Sequence, residues 1–253
     1  PKVDLHPRTY SLSDIALAAS QRHGISASDA LAACQSLYEI HKLTTYPRTD
    51  CAFLPEVQHS DAAAVFSALR RTDPRLSGLI DGADASIKSK TWDSSKVTAH
   101  HGIIPTQEPG DLSKLNDAER KIYELIVRAY LAQFYPAHEY MSTVITVEVQ
   151  GESFVASGRT VTKNGWKDVY QADDTVDDEA DEDGQSLPHV REGARVKCEG
   201  VEAKSKKTKP PARFTDVTLI KAMENIYRLV TDPEERKLLR DGEGIGTPAT
   251  RTS

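Results

Sequence analysis

Hydrophobic spacing divides the 253-residue chain into a helical part, a β part and a second helical part. Residues 11–23 (SLSDIALAASQRH) predict a short helix capped by Ser11 or Ser13, and Gly24 ends it. Residues 28–42 predict a second, with Leu31, Cys34, Leu37, Tyr38 and Ile40 at helical spacing. The segment LTTYPRTD then breaks the pattern, because Pro47 disfavours helix at Tyr46. Tyr46 is therefore expected on a turn or extended stretch just past a helix end. Residues 55–69 predict a third helix, and residues 71–110 read as irregular. The strongest helix is 116–134: Asn116 and Glu119 have capping-box spacing, and Ile122, Leu125, Ile126 and Ala129 form one apolar stripe.

Near residue 142 the period changes to two. STVITVEV places Ile145, Val147 and Val149 on one strand face, and ESFVASGRTV, GWKDVY and ARVKCEGVEA continue as strand-like runs. KSKKTKPP reads as a basic linker, and from Thr215 the helical register returns through Leu219, Ile220, Met223, Ile226 and Tyr227. The order predicts an α+β, multidomain chain: a helical domain at 8–140, a β-rich segment at 141–214 and a further helical segment at 215–253.

Charge changes this picture only locally. The total is −6, but residues 173–183 (DDTVDDEADED) hold eight acids and no base. Without them 32 bases face 30 acids, so the acidity does not argue against a nucleic-acid partner. No run approaches 18 apolar residues, so no membrane span is expected. No secretory leader pattern is visible, and Cys34, Cys51 and Cys198 form no CxxC pair, which fits reduced thiols in a cytoplasmic protein. The chain opens at PKVDLHPRTY without Met and closes at ATRTS, and reads as a piece of a longer protein.

Five features could carry chemistry. Tyr46 in TTYPRTD offers a hydroxyl nucleophile, but a tyrosine of ordinary pKa is only about one part in a thousand ionised at pH 7 and needs help. Arg48, two residues on, projects to the same side in extended chain and can grip a phosphate bidentately. On spacing alone, a structural tyrosine beside a proline turn explains the pair better, because a lone YxR is common. His100 and His101 in AHHGIIPT could bind metal, transfer protons or contact phosphate, but adjacent side chains diverge and no third ligand is evident, and by themselves they fit a structural loop fixed by Pro105 better. The acidic run fails as a calcium loop: its best frame starts at Glu179, and the twelfth position is Val190. Lys204, Lys206, Lys207, Lys209 and Arg213 could meet phosphates or simply be solvated. GEGIGTPATR can present backbone N–H groups to a phosphate, but it is not a P-loop.

The order of these motifs is more specific than any one of them. LYEIHKLTTYPRTD, then AHHGIIPT, then KPPARFTDVTLIKAM, then GIGTPATR resembles the type IA DNA topoisomerases, and TYPRTDC with AHHGIIPT is most like their bacterial topoisomerase III branch. The likeness runs from about Ser11 to Arg251. It implies that Tyr46 is the nucleophile that forms a 5′-phosphotyrosine bond on one DNA strand, without ATP. Arg48 would stabilise the scissile phosphate and His100 would be the histidine near the site. His101, Lys96 and Arg251 are carried as DNA contacts. The three segments become the tyrosine-bearing domain, part of a hinging arch and the start of a strand-binding domain. The family's acidic Mg²⁺-binding domain precedes this region, so no metal or other cofactor is expected in this chain. The chain alone is expected to be catalytically incomplete. The implied partners are single-stranded DNA and the rest of the same polypeptide, in the bacterial cytoplasm. Two rival readings remain: a single-stranded DNA-binding module without catalysis, and a histidine-based phosphoesterase, which would need more metal ligands than the sequence offers.

Overall fold

A computed structural model of the chain describes residues 1–170, 187–208, 210–241, 244–247 and 250. The acidic run at 173–183, Lys209 and Arg251 lie outside the described residues. Strand β1 (Lys2–Asp4) precedes helices α1 (Leu12–His23), α2 (Ala27–Glu39), α3 (Ala62–Thr72), α4 (Ser77–Gly82) and α5 (Asp117–Leu131). Strands β2 (His138–Val149) and β3 (Glu152–Lys163) follow, then α6 (Asp216–Glu224) and α7 (Pro233–Asp241). The architecture is α+β, as the change of period predicts.

The helices begin where their caps dictate. Ser11 and Asp14 close a capping box at α1, Ser26 caps α2, and Asn116 and Glu119 close the box at α5. Helix α5 is the centre of the core. Its predicted stripe is buried, and so are Tyr123, Val127, Tyr130 and Leu131, so it is covered on nearly every side. Arg128 on this helix stays buried because Glu124 receives its guanidinium at 2.7 Å and the Val169 carbonyl accepts another N–H.

Helix α2 differs from its prediction. Ile40 is 73% exposed and Tyr38 also reaches the surface, while Ala27, Ala30, Ala33, Cys34 and Leu37 are buried. Apart from Leu37 the seam is made of small residues, which bring α2 close against α1 and α5. Burial there pushes the Cys34 thiol up to about 12. The predicted third helix starts as a 3-10 turn over Glu56–Asp61 and becomes α-helical only at Ala62.

An aromatic cluster fills the core beyond α5. The Phe134 ring lies 5.0 Å from Phe66, 5.1 Å from Tyr130 and 5.8 Å from Trp92, and Phe134 is fully buried. Phe134→Ala is expected to cost about 3–5 kcal/mol, the scale of a large-to-small change in a closed core. Urea unfolding of the chain measures it.

The sheet is antiparallel in the order β1-β2-β3. Val149 pairs with Glu152 across a two-residue turn, Gln150 at φ +53° and Gly151 at φ +86°, a type I′ geometry that suits a hairpin. Two predicted strands are absent. GWKDVY is a 3-10 helix over Gly165–Val169. Gly165 takes φ +57°, a side chain there would run into the Pro136 and Ala137 carbonyls, and the turn delivers Val169 into the core. ARVKCEGVEA has the alternation of a strand but no ladder partner among the described residues. Residues 190–198 and 200–202 instead line an open groove with residues 144–150 and Phe154 of the hairpin.

Helix α6 docks on the first helices through a small mixed contact and ends at Glu224, short of the predicted register, while Leu219 is exposed. Val217 and Ile220 cover Ala27 and Leu17. Lys221 Nζ sits 2.5 Å from Asp14 and 3.0 Å from Glu224, and Ser13 Oγ donates to Glu224. Burial opposes the Lys221 ammonium, but the two carboxylates outweigh it and hold its pKa above the ordinary lysine value. The stabilisation is therefore fully present below about pH 10.5 and fades as pH rises through the higher folded value. Lys221→Met is expected to remove about 1 kcal/mol of α6 docking and this alkaline dependence, read by amide exchange along α6.

Candidate active site

Tyr46 sits beyond the C-terminus of α2, on a segment laid against the residues after His101. Two links close the end of α2: His41 N–H donates to Ser36 O at 3.1 Å and Leu43 N–H to Leu37 O at 2.9 Å. Lys42 takes φ +57° to make the turn. The next residues pair across to 103–106: Thr45 N–H donates to Ile104 O at 2.9 Å, Ile104 N–H to Thr45 Oγ1 at 3.0 Å, and Thr106 N–H to Leu43 O at 3.0 Å. On the far side of Tyr46, Leu12 N–H at the start of α1 donates to Thr49 O at 2.9 Å. The loop is thus held at both ends by main-chain bonds.

Gly102 explains how the histidine loop approaches. A side chain there would run into Thr9 Oγ1 and the backbone at Ala52, and Gly102 N–H donates to Phe53 O at 2.9 Å. This brings His100 to Tyr46, with ring centroids 4.4 Å apart and planes tilted by 40°. Tyr46 is 37% exposed, and its hydroxyl has no hydrogen bond among the described residues. The edge of Tyr38 meets its ring at 5.7 Å.

Arg48 is exposed and reaches back to the same helix. With the Gln35 amide turned so that its oxygen faces the guanidinium, Arg48 Nη2 and Nε donate to it at 2.5 and 3.3 Å. Gln35 and Tyr38 are three residues apart and share one face of α2. Tyr46 and Arg48 therefore lean on a common support.

The two histidines diverge, as adjacency predicts. His101 turns away: its Nδ1–H donates to Gly102 O at 2.8 Å and its Nε2 accepts from Gln58 at 3.1 Å. Lys96 pairs with Asp93 at 2.8 Å, and its ammonium lies 4.9 Å from the Phe53 ring. Arg8 covers the same ring at 4.4 Å. Arg251 lies outside the described residues. Among the described residues no three His, Cys, Asp or Glu side chains gather as a metal site. Trp92, Tyr123 and Tyr130 are buried, whereas Tyr38 is at the surface.

The DNA topoisomerase family matches the chain over residues 2–253. The chain belongs to the type IA DNA topoisomerases. It is topoisomerase III-like: it is 41% identical to DNA topoisomerase 3 of Vibrio cholerae over 97% of its length, and 38% identical to that of Bacillus subtilis over 99%. It spans 37% and 35% of those two relatives, respectively. Full-length topoisomerase I from Thermotoga maritima shares the fold at 21% identity, with a TM-score of 0.62 over 99% of this chain and 37% of that one. No helix among the described residues is long and apolar enough to cross a membrane.

In this type IA topoisomerase chain, four residues around the site were not singled out as its parts by sequence: Gln35, Tyr38, Arg8 and Phe53. Tyr38 reads in the sequence as one of the apolar positions of α2, whereas the structure turns it to the surface beside Tyr46. Gln35 carried none, since a glutamine on a helix is ordinarily a solvated position.

Proposed function

We propose that this chain is the nucleophile-bearing part of an ATP-independent DNA topoisomerase. Its reaction is reversible cleavage of one DNA strand, which lets another strand pass. The observation that supports it most is the exposed Tyr46 phenol 4.4 Å from His100, on a loop that also carries Arg48. Tyr46 Oη attacks the phosphorus and forms a phosphotyrosine bond to the 5′ side. The bond from phosphorus to the 3′ oxygen breaks, and that oxygen leaves as a hydroxyl, so one proton passes from the phenol side to the 3′ side. Rejoining runs the same steps backwards, and the bond energy stays in the ester. The free edge of Arg48 binds the phosphate oxygens, where charge develops. His100 borders the attacking ring and supplies a further donor to the phosphate. Lys96 and His101 are further contacts to the strand, as is Arg251, which lies outside the described residues.

Mg²⁺, when bound, supplies positive charge at the phosphate. Its carboxylate ligands would come from the acidic domain that the resemblance puts before this region. Residues 8–140 carry the nucleophile, 141–214 contribute to an arch and 215–253 begin a strand-binding segment, in a cytoplasmic, DNA-associated protein.

Covalent trapping tests the proposal. An end-labelled single-stranded oligonucleotide and Mg²⁺ are mixed with the intact polypeptide or with this chain alone, then quenched in detergent. An adduct with the intact polypeptide only is expected. DNA binding without an adduct in either case would replace the proposal with a strand-binding module, and an adduct with this chain alone would refute its incompleteness.

A further inference from the structure

Arg48 raises a physical problem that Gln35 answers. An exposed arginine has many rotamers, and holding one of them for a phosphate costs entropy at the moment of reaction. Arg48 is exposed, yet its guanidinium is met on one edge by a single acceptor, the Gln35 amide oxygen, at 2.5 Å from Nη2 and 3.3 Å from Nε. A guanidinium has five N–H donors in a plane. Two of them point at Gln35, which leaves both donors of Nη1 and one of Nη2 along the remaining edges. Gln35 is half-buried on a helix whose opposite face is fixed in the core through Ala30, Ala33, Cys34 and Leu37. The acceptor is therefore set by a rigid element.

The chemistry of that acceptor matters as much as its place. A carboxylate at position 35 would hold Arg48 more tightly, but would cancel its charge and compete with a phosphate. An amide oxygen fixes the plane and leaves the full positive charge available. Tyr38, one turn on along the same face, meets the edge of the Tyr46 ring at 5.7 Å.

We infer that Gln35 is a positioning residue for Arg48, orienting the guanidinium toward the scissile phosphate without neutralising it. This rests on the function proposed above and adds a residue to it. Gln35 touches Arg48, not the reacting atoms.

The test uses the intact polypeptide, single-turnover cleavage of an oligonucleotide with Mg²⁺, and oligonucleotide binding measured in parallel. Gln35→Leu is expected to slow cleavage about tenfold with unchanged affinity and thermal midpoint, the signature of lost orientation. Gln35→Glu keeps the contact but adds a charge, so it is expected to weaken binding as well as slow cleavage. In an Arg48→Ala background, Gln35→Leu should have no further effect, because its partner is already gone. Wild-type cleavage rates in Gln35→Leu, or a full additional loss on top of Arg48→Ala, would overturn the inference and leave Gln35 as a structural residue. Absence of any adduct in the wild type would overturn this inference and the function together, and so distinguishes the two failures.

Discussion

Tyr46→Phe in the intact polypeptide is expected to abolish covalent capture of DNA while the protein still folds and binds the strand. The substitution is unusually clean here. Phenylalanine keeps the ring, so the contacts with His100 at 4.4 Å and Tyr38 at 5.7 Å survive. The hydroxyl it removes has no hydrogen bond among the described residues, so no buried partner is orphaned, and stability should stay within about 0.5 kcal/mol. The loss should instead fall on chemistry, by more than about 10⁴-fold, the scale seen when a nucleophile is removed. Detergent-quenched adduct yield reads the chemistry, and oligonucleotide affinity reads the binding. If the variant still forms an adduct, peptide mapping will place the bond elsewhere and Tyr46 loses its role. If affinity collapses with the adduct, Tyr46 is a binding residue first.

The expectation that Tyr46 lies just past a helix was legible because Pro47 disfavours helical geometry before it, and the structure ends α2 at Glu39. Helix α5 was legible for the same local reason: its cap is spelled at Asn116 and Glu119, and its stripe is made of large residues. The α2 seam was not. Cys34 and Leu37 are buried as their spacing predicts, but the alanines beside them carry little apolar area and give no signal, and Tyr38 and Ile40, which do, lie at the surface. GWKDVY and ARVKCEGVEA show the limit of alternation. A period of two marks a face, but a strand also needs a neighbour for its backbone, and that is set by distant chain. The meeting of Tyr46 with His100 belongs to this class. Main-chain pairing of Thr45 with Ile104 and the bare α-carbon of Gly102 create it, and no local pattern encodes either. Only the resemblance of the ordered motifs joined the two segments before the structure did.

Arg48 separates charge from geometry, and its two substitutions are expected to differ. Arg48→Ala removes both, so cleavage should slow by about 10²–10³-fold, the scale of losing one preorganised donor set. Its binding should also lose one phosphate contact, lowering the salt slope by about 0.7 for a single strand. Arg48→Lys keeps the charge, and the salt slope should stay at the wild-type value. Its cleavage rate should nevertheless recover little. A lysine ammonium is a single point with rotating donors, whereas the guanidinium meets Gln35 with one edge and turns another outward. Single-turnover rates and affinities across a salt series decide between these terms. A lysine variant that cleaves like wild type would show that charge near the phosphate suffices, and that the edge-on contact with α2 contributes nothing to the reaction.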